Sequence, residues 1–321
     1  MGKSDKGETL ENMVSGLVVK NTGNTYYVRD ASHNEYVCKA KGNLRLQGIR
    51  STSPVVVGDE VVVEVKPDGT GYITEIKDRK NYIVRKASNL SKHSHILAAN
   101  IDLALLCVTI KLPETTTTFI DRFLVTAEAY SIPASIVFNK LDLYDEEDLE
   151  YLDAVENLYK TIGYNCIRTS METGEGVDEL KELTEEKIVL LSGHSGVGKS
   201  TIINALMGEN VQKVGDLSVF HKMGMHTTTY SEMIELENGG YVIDTPGIKG
   251  FGTVDMTEDE ISHYFPEIFK ISKHCRYNNC MHINEPDCAV LDALEKHYIS
   301  QSRYDSYINI LQDVDEGKYR V

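Results

Sequence analysis

Between residues 17 and 77 the apolar positions fall in short β-branched and aromatic runs: Leu17–Val19, Tyr26–Arg29, Glu35–Ala40, Val61–Val65 and Tyr72–Lys77. Turn chemistry separates them at Asn21-Thr22-Gly23-Asn24, Gly58-Asp59 and Pro67-Asp68-Gly69. About five short strands predict a small β-barrel of the OB type. Residues 79–100 turn polar and basic and read as a linker. From Ile101 the pattern changes, because Ile101–Ile110 is nearly continuously apolar, as expected of a strand buried on both faces of a parallel sheet. Helical periodicity over Phe119–Ala129 and Glu146–Ile162 alternates with strand-like Ala134–Phe138 and Asn165–Thr169. A further strand (Ile188–Leu191), a helix (Thr201–Met207) and a strand (Tyr241–Ile243) follow. Alternation of this kind predicts an α/β domain with a mostly parallel sheet. Two helical stretches, Glu258–Ser272 and Ala289–Asp313, complete the chain. The expected architecture is multidomain: a barrel in 1–85, an α/β domain in 86–252 and a small helical domain in 253–321.

Composition narrows the setting. The chain has 321 residues, 41% hydrophobic, enough to bury a sizeable core. A polar, charged N-terminus and the lack of any apolar run near the roughly 18 residues of a membrane span give the expectation of a cytoplasmic protein with no membrane contact. The formal charge of −16 argues against wholesale nucleic-acid binding. It is unevenly spread: residues 1–85 hold 13 Lys and Arg against 11 Asp and Glu, residues 86–321 hold 20 against 38. No acid lies between Glu35 and Asp59, where Lys39, Lys41, Arg45 and Arg50 do, and Tyr26, Tyr27 and Tyr36 offer stacking faces. Phosphate attraction with base stacking is how such barrels hold RNA; the competing reading is a solvated basic loop with tyrosines in the barrel wall.

The sharpest chemistry lies in Gly193-His194-Ser195-Gly196-Val197-Gly198-Lys199-Ser200, which fits GxxxxGK[ST] between a strand and a helix that continues through Thr201. Glycines let the backbone wrap a polyphosphate with its N–H groups inward, and the helix N-terminus adds positive partial charge. Lys199 is expected to reach the β- and γ-phosphates and Ser200 to offer its hydroxyl to Mg²⁺. Upstream, Asn139-Lys140-Leu141-Asp142 fits NKxD at a strand end. A carboxylate at Asp142 accepts from the N1–H and exocyclic amine of guanine, whereas adenine presents no such donor pair. Asn139 can tie the base site to the phosphate loop, and Ser170 follows the next strand where a guanine-contacting loop is expected. Downstream, Gly224-Met225-His226-Thr227-Thr228-Thr229 offers three hydroxyls for Mg²⁺, with Thr228 favoured. Asp244-Thr245-Pro246-Gly247 gives DxxG: Asp244 for Mg²⁺ through water, Gly247 for the γ-phosphate. An ordinary GTPase begins with its phosphate loop; here the guanine motif comes first, so the domain is expected to be circularly permuted, which leaves strand-end loops free to converge.

Cys275-x4-Cys280-x-His282-x5-Cys288 supplies three thiolates and an imidazole within 14 residues. Four filled positions suit a closed, tetrahedral, structural Zn²⁺ site, the kind of staple a small helical domain needs. The other cysteines, Cys38, Cys107 and Cys166, lie singly in strand-like segments, which favours a reducing compartment.

The combination of barrel, NKLD, GHSGVGKST, GMHTTT, DTPG and CxxxxCxHxxxxxC resembles the RsgA (YjeQ) family of circularly permuted GTPases that act on the small ribosomal subunit. The resemblance covers nearly the whole chain. It implies GTP hydrolysis to GDP and phosphate stimulated by the small subunit, a role late in subunit maturation, a barrel touching ribosomal RNA, and a bacterial cytoplasmic setting; a monomer is expected. Just after DxxG stands Ile248, which cannot orient water as a glutamine does. His226 is the candidate catalytic group, and its counterpart lies in the family's matching motif. Two functions stay open: a GTPase whose hydrolysis releases it from the ribosome, and a GTP-gated RNA-binding placeholder whose turnover is incidental.

Overall fold

Strand β1 (Met13–Thr22) runs for ten residues because it serves three neighbours. Its first half pairs with β4 (Glu60–Val65), its middle with β2 (Tyr26–Asp30) and its last three residues with β12 (Tyr230–Glu235). Strand β3 (Glu35–Ala40) lies antiparallel to β2 and parallel to β5 (Thr70–Ile76), and β5 returns to β4. The five strands therefore close as β1-β2-β3-β5-β4-β1, which removes exposed edges. Alternation sends Val18, Val28, Cys38, Val61, Val63 and Ile73 into the barrel core. Gly16 is required where β1 curls: a Cβ there would stand 2.7 Å from both the Arg29 carbonyl oxygen and Val28 Cγ1.

This is the computed structural model of the chain, and it describes residues 12–42, 44, 54–85, 95–208, 230–244 and 256–315. The barrel belongs to a compact unit formed by Met1–Ile101, Glu186–Leu190 and Glu209–Lys249; Asp102–Glu185, Leu191–Gly208 and Gly250–Val321 form a second. The stretch read as a linker carries structure. A hairpin of β6 (Tyr82–Arg85) and β7 (His95–Ala99) packs Ile96 and Ala99 against Val56. Ahead of it, Arg79 grips the buried Asp59 through Nε (2.6 Å) and Nη2 (2.7 Å), and Asn100 Nδ2 donates to the Gly58 carbonyl at 2.8 Å. The strands are short and the intervening residues polar, so periodicity alone reads them as connector. Strand β12 forms a hairpin with β13 (Tyr241–Asp244), and β11 (Ile188–Ser192) runs parallel to β13.

In the second unit β8 (Leu103–Val108), β9 (Ala134–Asn139) and β10 (Asn165–Thr169) form a parallel β10-β9-β8 array. Every residue of β8 is buried, as its apolar run requires. The helices begin and end on recognisable chemistry. Helix α1 (Thr117–Ala129) is capped by the Thr116 hydroxyl, and α2 (Glu146–Ile162) opens on an Asp145/Asp148 capping box and closes on Gly163 at φ 118°. Helices α3 (Val177–Thr184) and α4 (Lys199–Met207) complete the set. The expected helix over Glu258–Ser272 is divided into α5 (Glu258–Ile261), a 3₁₀ turn (Ser262–Tyr264) and α6 (Pro266–Ser272), since Pro266 starts a helix but cannot continue one. Likewise Ala289–Asp313 is two helices, α7 (Ala289–Glu295) and α8 (Gln301–Asp315), separated where His297 takes φ 59°. Among the described residues no helix is long and apolar enough to cross a membrane.

These C-terminal helices share their core with Val125 of α1. A buried ion cluster fixes the same junction: Arg303 of α8, wholly buried, donates from Nη1 to Asp121 of α1 (2.7 Å) and from Nε to Glu267 of α6 (2.6 Å). Tyr159 of α2 donates its hydroxyl to the same Asp121 oxygen at 2.7 Å. Removing one member leaves a buried charge uncompensated, which costs about 3–5 kcal/mol. Asp121→Ala is expected to lower stability by about that amount in urea unfolding; a loss below roughly 1 kcal/mol would mean that the cluster is not what joins α8 to α1.

Candidate nucleotide-binding site and metal centre

The phosphate loop is shaped by what its neighbours leave no room for. Gly193 (φ 140°), Gly196 (φ 89°) and Gly198 (φ 103°) all take left-handed backbone. A Cβ on Gly193 would fall 2.2 Å from the Cys107 carbonyl oxygen at the end region of β8, and one on Gly198 would fall 2.4 Å from Asn139 Nδ2. Gly198 caps α4 without a side-chain bond, so the helix presents its first-turn N–H groups and positive partial charge at the loop, with Ser200 and Thr201 in that turn. Lys199 Nζ donates to the carbonyls of Gly193 (2.7 Å) and His194 (2.6 Å), which folds the ammonium over the loop where a phosphate would sit. Val197 is fully buried and anchors the loop, while Ser195 and Gly196 face solvent. The His194 ring stacks on Phe119 of α1, centroids 3.9 Å apart.

Asn139, 2% exposed, joins this loop to the base-recognition motif. Its Nδ2 donates to the Val197 carbonyl at 2.9 Å and its Oδ1 accepts from the Thr169 hydroxyl at 3.0 Å. Tyr144 donates to the Asn139 carbonyl at 2.6 Å and accepts from the Ile110 N–H at 2.9 Å; burial pushes its phenol up to about 12, so it remains a donor at neutral pH. After Asn139 the chain turns sharply: Lys140 takes φ 67° and donates Nζ to the Leu112 carbonyl at 2.7 Å, Leu141 is half-buried and Asp142 is exposed. Ser170 Oγ donates to Asp142 Oδ1 at 2.5 Å and orients that carboxylate. The Ser170 amide is bonded to the Glu175 carbonyl at 3.0 Å, which leaves the hydroxyl as the Ser170 group directed at Asp142. Tyr144 was not singled out in the sequence, and Thr169 only as the strand-end residue before Ser170. Thr169 sits at the end of a strand beside the flagged Ser170, but the partner it orients is 30 positions away.

Asp244 closes β13, with Glu232 as its partner across the β12–β13 ladder. His226, Thr228 and Gly247 lie outside the described residues, as do Arg45 and Arg50. Of the proposed barrel contacts, Lys39 is exposed and Lys41 is exposed but paired with Glu64 at 2.6 Å. Tyr26 is a core residue, 3% exposed, and presents no stacking face; the side-chain alternation of β2 turns it inward and leaves Tyr27 half-buried. Tyr36 donates its hydroxyl to Asp30 at 2.9 Å.

At the C-terminus the ligand atoms of Cys275, Cys280, His282 and Cys288 lie within 4.8 Å of one another. His282 Nδ1 is 3.7 Å from Cys275 Sγ and 3.5 Å from Cys288 Sγ, and those two sulfurs are 3.9 Å apart. Tetrahedral zinc with bonds of about 2.3 Å to sulfur and about 2.0 Å to nitrogen needs ligand separations of roughly 3.5–3.8 Å; Cys275, His282 and Cys288 stand close to that spacing with Cys280 beside them, so the donor set suits that ion, and these sulfurs are too far apart for a disulfide. Burial lowers His282 and favours the neutral imidazole that a metal requires. The loop is held in place for this. Tyr304 and Tyr307 donate to the carbonyls of His282 (2.7 Å) and Met281 (2.6 Å), and Glu285 accepts from the amides of Met281, Ile283 and Asn284.

A phosphate loop that follows its base motif in the chain, yet is fastened to it by one buried asparagine, defines a circularly permuted GTPase. Solved structures share the architecture: YjeQ from Thermotoga maritima, 35% identical with a TM-score of 0.77 over 94% of this chain and 98% of that one, and YloQ, a circularly permuted GTPase, 28% identical with a TM-score of 0.77 over 98% of each. The chain belongs to the RsgA family: residues 15–73 match the RsgA N-terminal domain and residues 76–254 the RsgA GTPase. Small ribosomal subunit biogenesis GTPase RsgA 2 of Bacteroides thetaiotaomicron is 59% identical over 307 residues, 96% of this chain and 99% of that protein. Small ribosomal subunit biogenesis GTPase RsgA of Phocaeicola vulgatus is equally similar. The protein is thus a GTPase. Because Thr169 holds the Asn139 amide, Thr169→Val is expected to weaken GTP binding by about 0.5–1.5 kcal/mol, roughly two- to twelvefold, and to lower stability by about 1–3 kcal/mol, since the buried Asn139 Oδ1 loses its donor; unaltered affinity in a fluorescent-nucleotide titration would remove Thr169 from the site.

Proposed function

We propose that this GTPase acts in late maturation of the small ribosomal subunit in the cytoplasm, binding its ribosomal RNA through the barrel and leaving on hydrolysis. The observation that carries this is the naming of relatives 59% identical across 96% of the chain as small ribosomal subunit biogenesis GTPases. In this reading Asp142 recognises guanine with Ser170 behind it, and Asn139, Lys140 and Leu141 form the strand-end base site. Residues 193–201 hold the phosphates, and Ser200, Thr228 and Asp244 serve Mg²⁺, which would neutralise phosphate charge. Gly247 reads the γ-phosphate. The functional division follows the sequence: barrel 1–85, GTPase domain 86–252, zinc domain 253–321, in a monomer. His226 positions the attacking water, because Ile248 has no group to do so. That same isoleucine favours the alternative of a GTP-gated placeholder with incidental turnover.

GTP turnover with and without small subunits separates the two. Strong stimulation is expected, and His226→Ala should bind subunits in the GTP state while losing roughly 10²- to 10⁴-fold of the stimulated rate, the scale of a positioned acid–base group. Absence of stimulation would establish the placeholder; a fully active His226→Ala would assign the water to another group.

The cysteine cluster is read as a structural Zn²⁺ site, since its four positions are filled by protein. Elemental analysis should find one zinc per chain, and Cys280→Ser should release it while GTP still binds, because the nucleotide motifs all lie upstream. Zinc-free protein of full stability would refute the site.

A further inference from the structure

The barrel and the strand that lies between the two switch motifs are parts of one hydrogen-bonded ladder. At its end β1 pairs with β12 in the register Lys20↔Glu232, Asn21↔Ser231 and Thr22↔Tyr230. On its other side β12 pairs with β13 in the register Glu232↔Asp244. Glu232 is therefore the partner of a barrel residue on one edge and of the DxxG aspartate on the other. With strands about 4.8 Å apart, Lys20 of the barrel lies about 10 Å across the sheet from the Asp244 backbone. In sequence, the paired Tyr230 directly follows the threonine run Thr227–Thr229. The β12–β13 hairpin thus separates the two motifs, ends on Asp244, and is zipped to the barrel along the first three residues of β12.

Side chains reinforce the ladder at two points. Lys20 Nζ meets Glu232 Oε1 at 2.9 Å, in register with the backbone pair. Arg29 of β2 meets Glu235 Oε2 at 2.6 Å, while His33 Nδ1 lies 3.3 Å from the other Glu235 oxygen. Two barrel strands therefore hold β12. Ion pairs as exposed as these contribute little to stability. The fold does not need them for its core; what they set is the position of the hairpin relative to the barrel.

We propose that this β1–β12 junction is the route by which a contact on the barrel reaches the nucleotide, with Lys20, Arg29, Glu232 and Glu235 as positioning residues that keep β12 rigidly joined to the barrel. The proposal rests on the ribosomal reading given above, in which RNA binds the barrel. A load on the barrel displaces β12, and β12 carries with it its ladder partner β13, which ends on Asp244; by reciprocity, exchange of GDP for GTP alters the junction from the other side.

The experiment measures subunit-stimulated and intrinsic GTP hydrolysis in the full-length wild-type protein, in Lys20→Glu, in Glu232→Lys and in the double swap, with Arg29→Gln as a second, independent break. Each single reversal should keep intrinsic turnover and subunit binding within about twofold and lower the stimulated rate about fivefold or more, the scale of one like-charge contact replacing an ion pair. The swap should restore the stimulated rate, which a merely disruptive substitution would not. Amide exchange in the isolated protein gives a readout free of ribosomes: protection at residues 20–22 should differ between the GDP and GTP-analogue states in the wild type, and this difference should shrink in Lys20→Glu. Full stimulation in every single variant, or a swap no better than the singles, overturns the junction as the route. A wild-type protein without stimulation instead overturns the ribosomal reading, and nucleotide-independent exchange at residues 20–22 then overturns the junction as well.

Discussion

The two halves of the nucleotide site depend on one buried amide. Asn139 donates to the Val197 carbonyl of the phosphate loop and accepts from Thr169 at the end of β10, so a single side chain sets the distance between the base motif and the phosphate motif. An unpaired buried amide costs about 1–3 kcal/mol, which makes the arrangement self-enforcing: the loop cannot drift without orphaning Asn139. The same amide dictates Gly198, where any side chain would collide with it. Permutation is tolerated for this reason. The bond is between positions 58 apart in sequence, and it is indifferent to which of them the ribosome makes first.

The C-terminal helices illustrate how a small element is made to hold its place. Their apolar cluster is modest and relies on two devices of opposite character. One is a four-residue donor set whose spacing fits a tetrahedral cation, with its loop pinned by Tyr304, Tyr307 and Glu285. The other is the buried Arg303, whose charge is shared between Asp121 and Glu267 and whose guanidinium lies 4.6 Å from the centroid of the Phe265 ring. A hydrophobic contact would tolerate sliding of α8 along α1. A buried guanidinium with fixed donors does not.

The N-terminal part shows a third kind of constraint, that of a strand long enough to belong to two structures. β1 closes the barrel with β2 and β4, and after β4 leaves its edge at Leu17 that same edge pairs with β12 from Lys20 while β2 stays on the other. Backbone pairing is insensitive to side-chain identity, so the join leaves little trace in composition. Its specificity comes from the charges placed on it, Lys20 and Arg29 against Glu232 and Glu235.

Sequence alone was enough for geometry that is local: the left-handed glycines of the 193–198 loop, the order that marks permutation, and the gathering of Cys275, Cys280, His282 and Cys288, because each of these motifs is contiguous and sets its atoms at fixed offsets. It also gave the barrel strands and the parallel core, where side-chain period follows burial directly. What it missed depends on distant partners. The β6–β7 hairpin looks like a linker until Val56 and Asn100 supply its packing and hydrogen bonds. Tyr26 looks like a stacking face until closure of the barrel turns it inward. The breaks at Pro266 and His297 depend on the core the helices must reach as well as on the residues themselves. Thr169, Tyr144 and the β1–β12 register acquire meaning only when residues 5 to 212 positions apart are brought together, and no local pattern encodes which of many equivalent hydroxyls or strand edges will find a given partner. That selection is made by tertiary packing, since only the folded chain fixes which polar groups lose water and must be satisfied by one another.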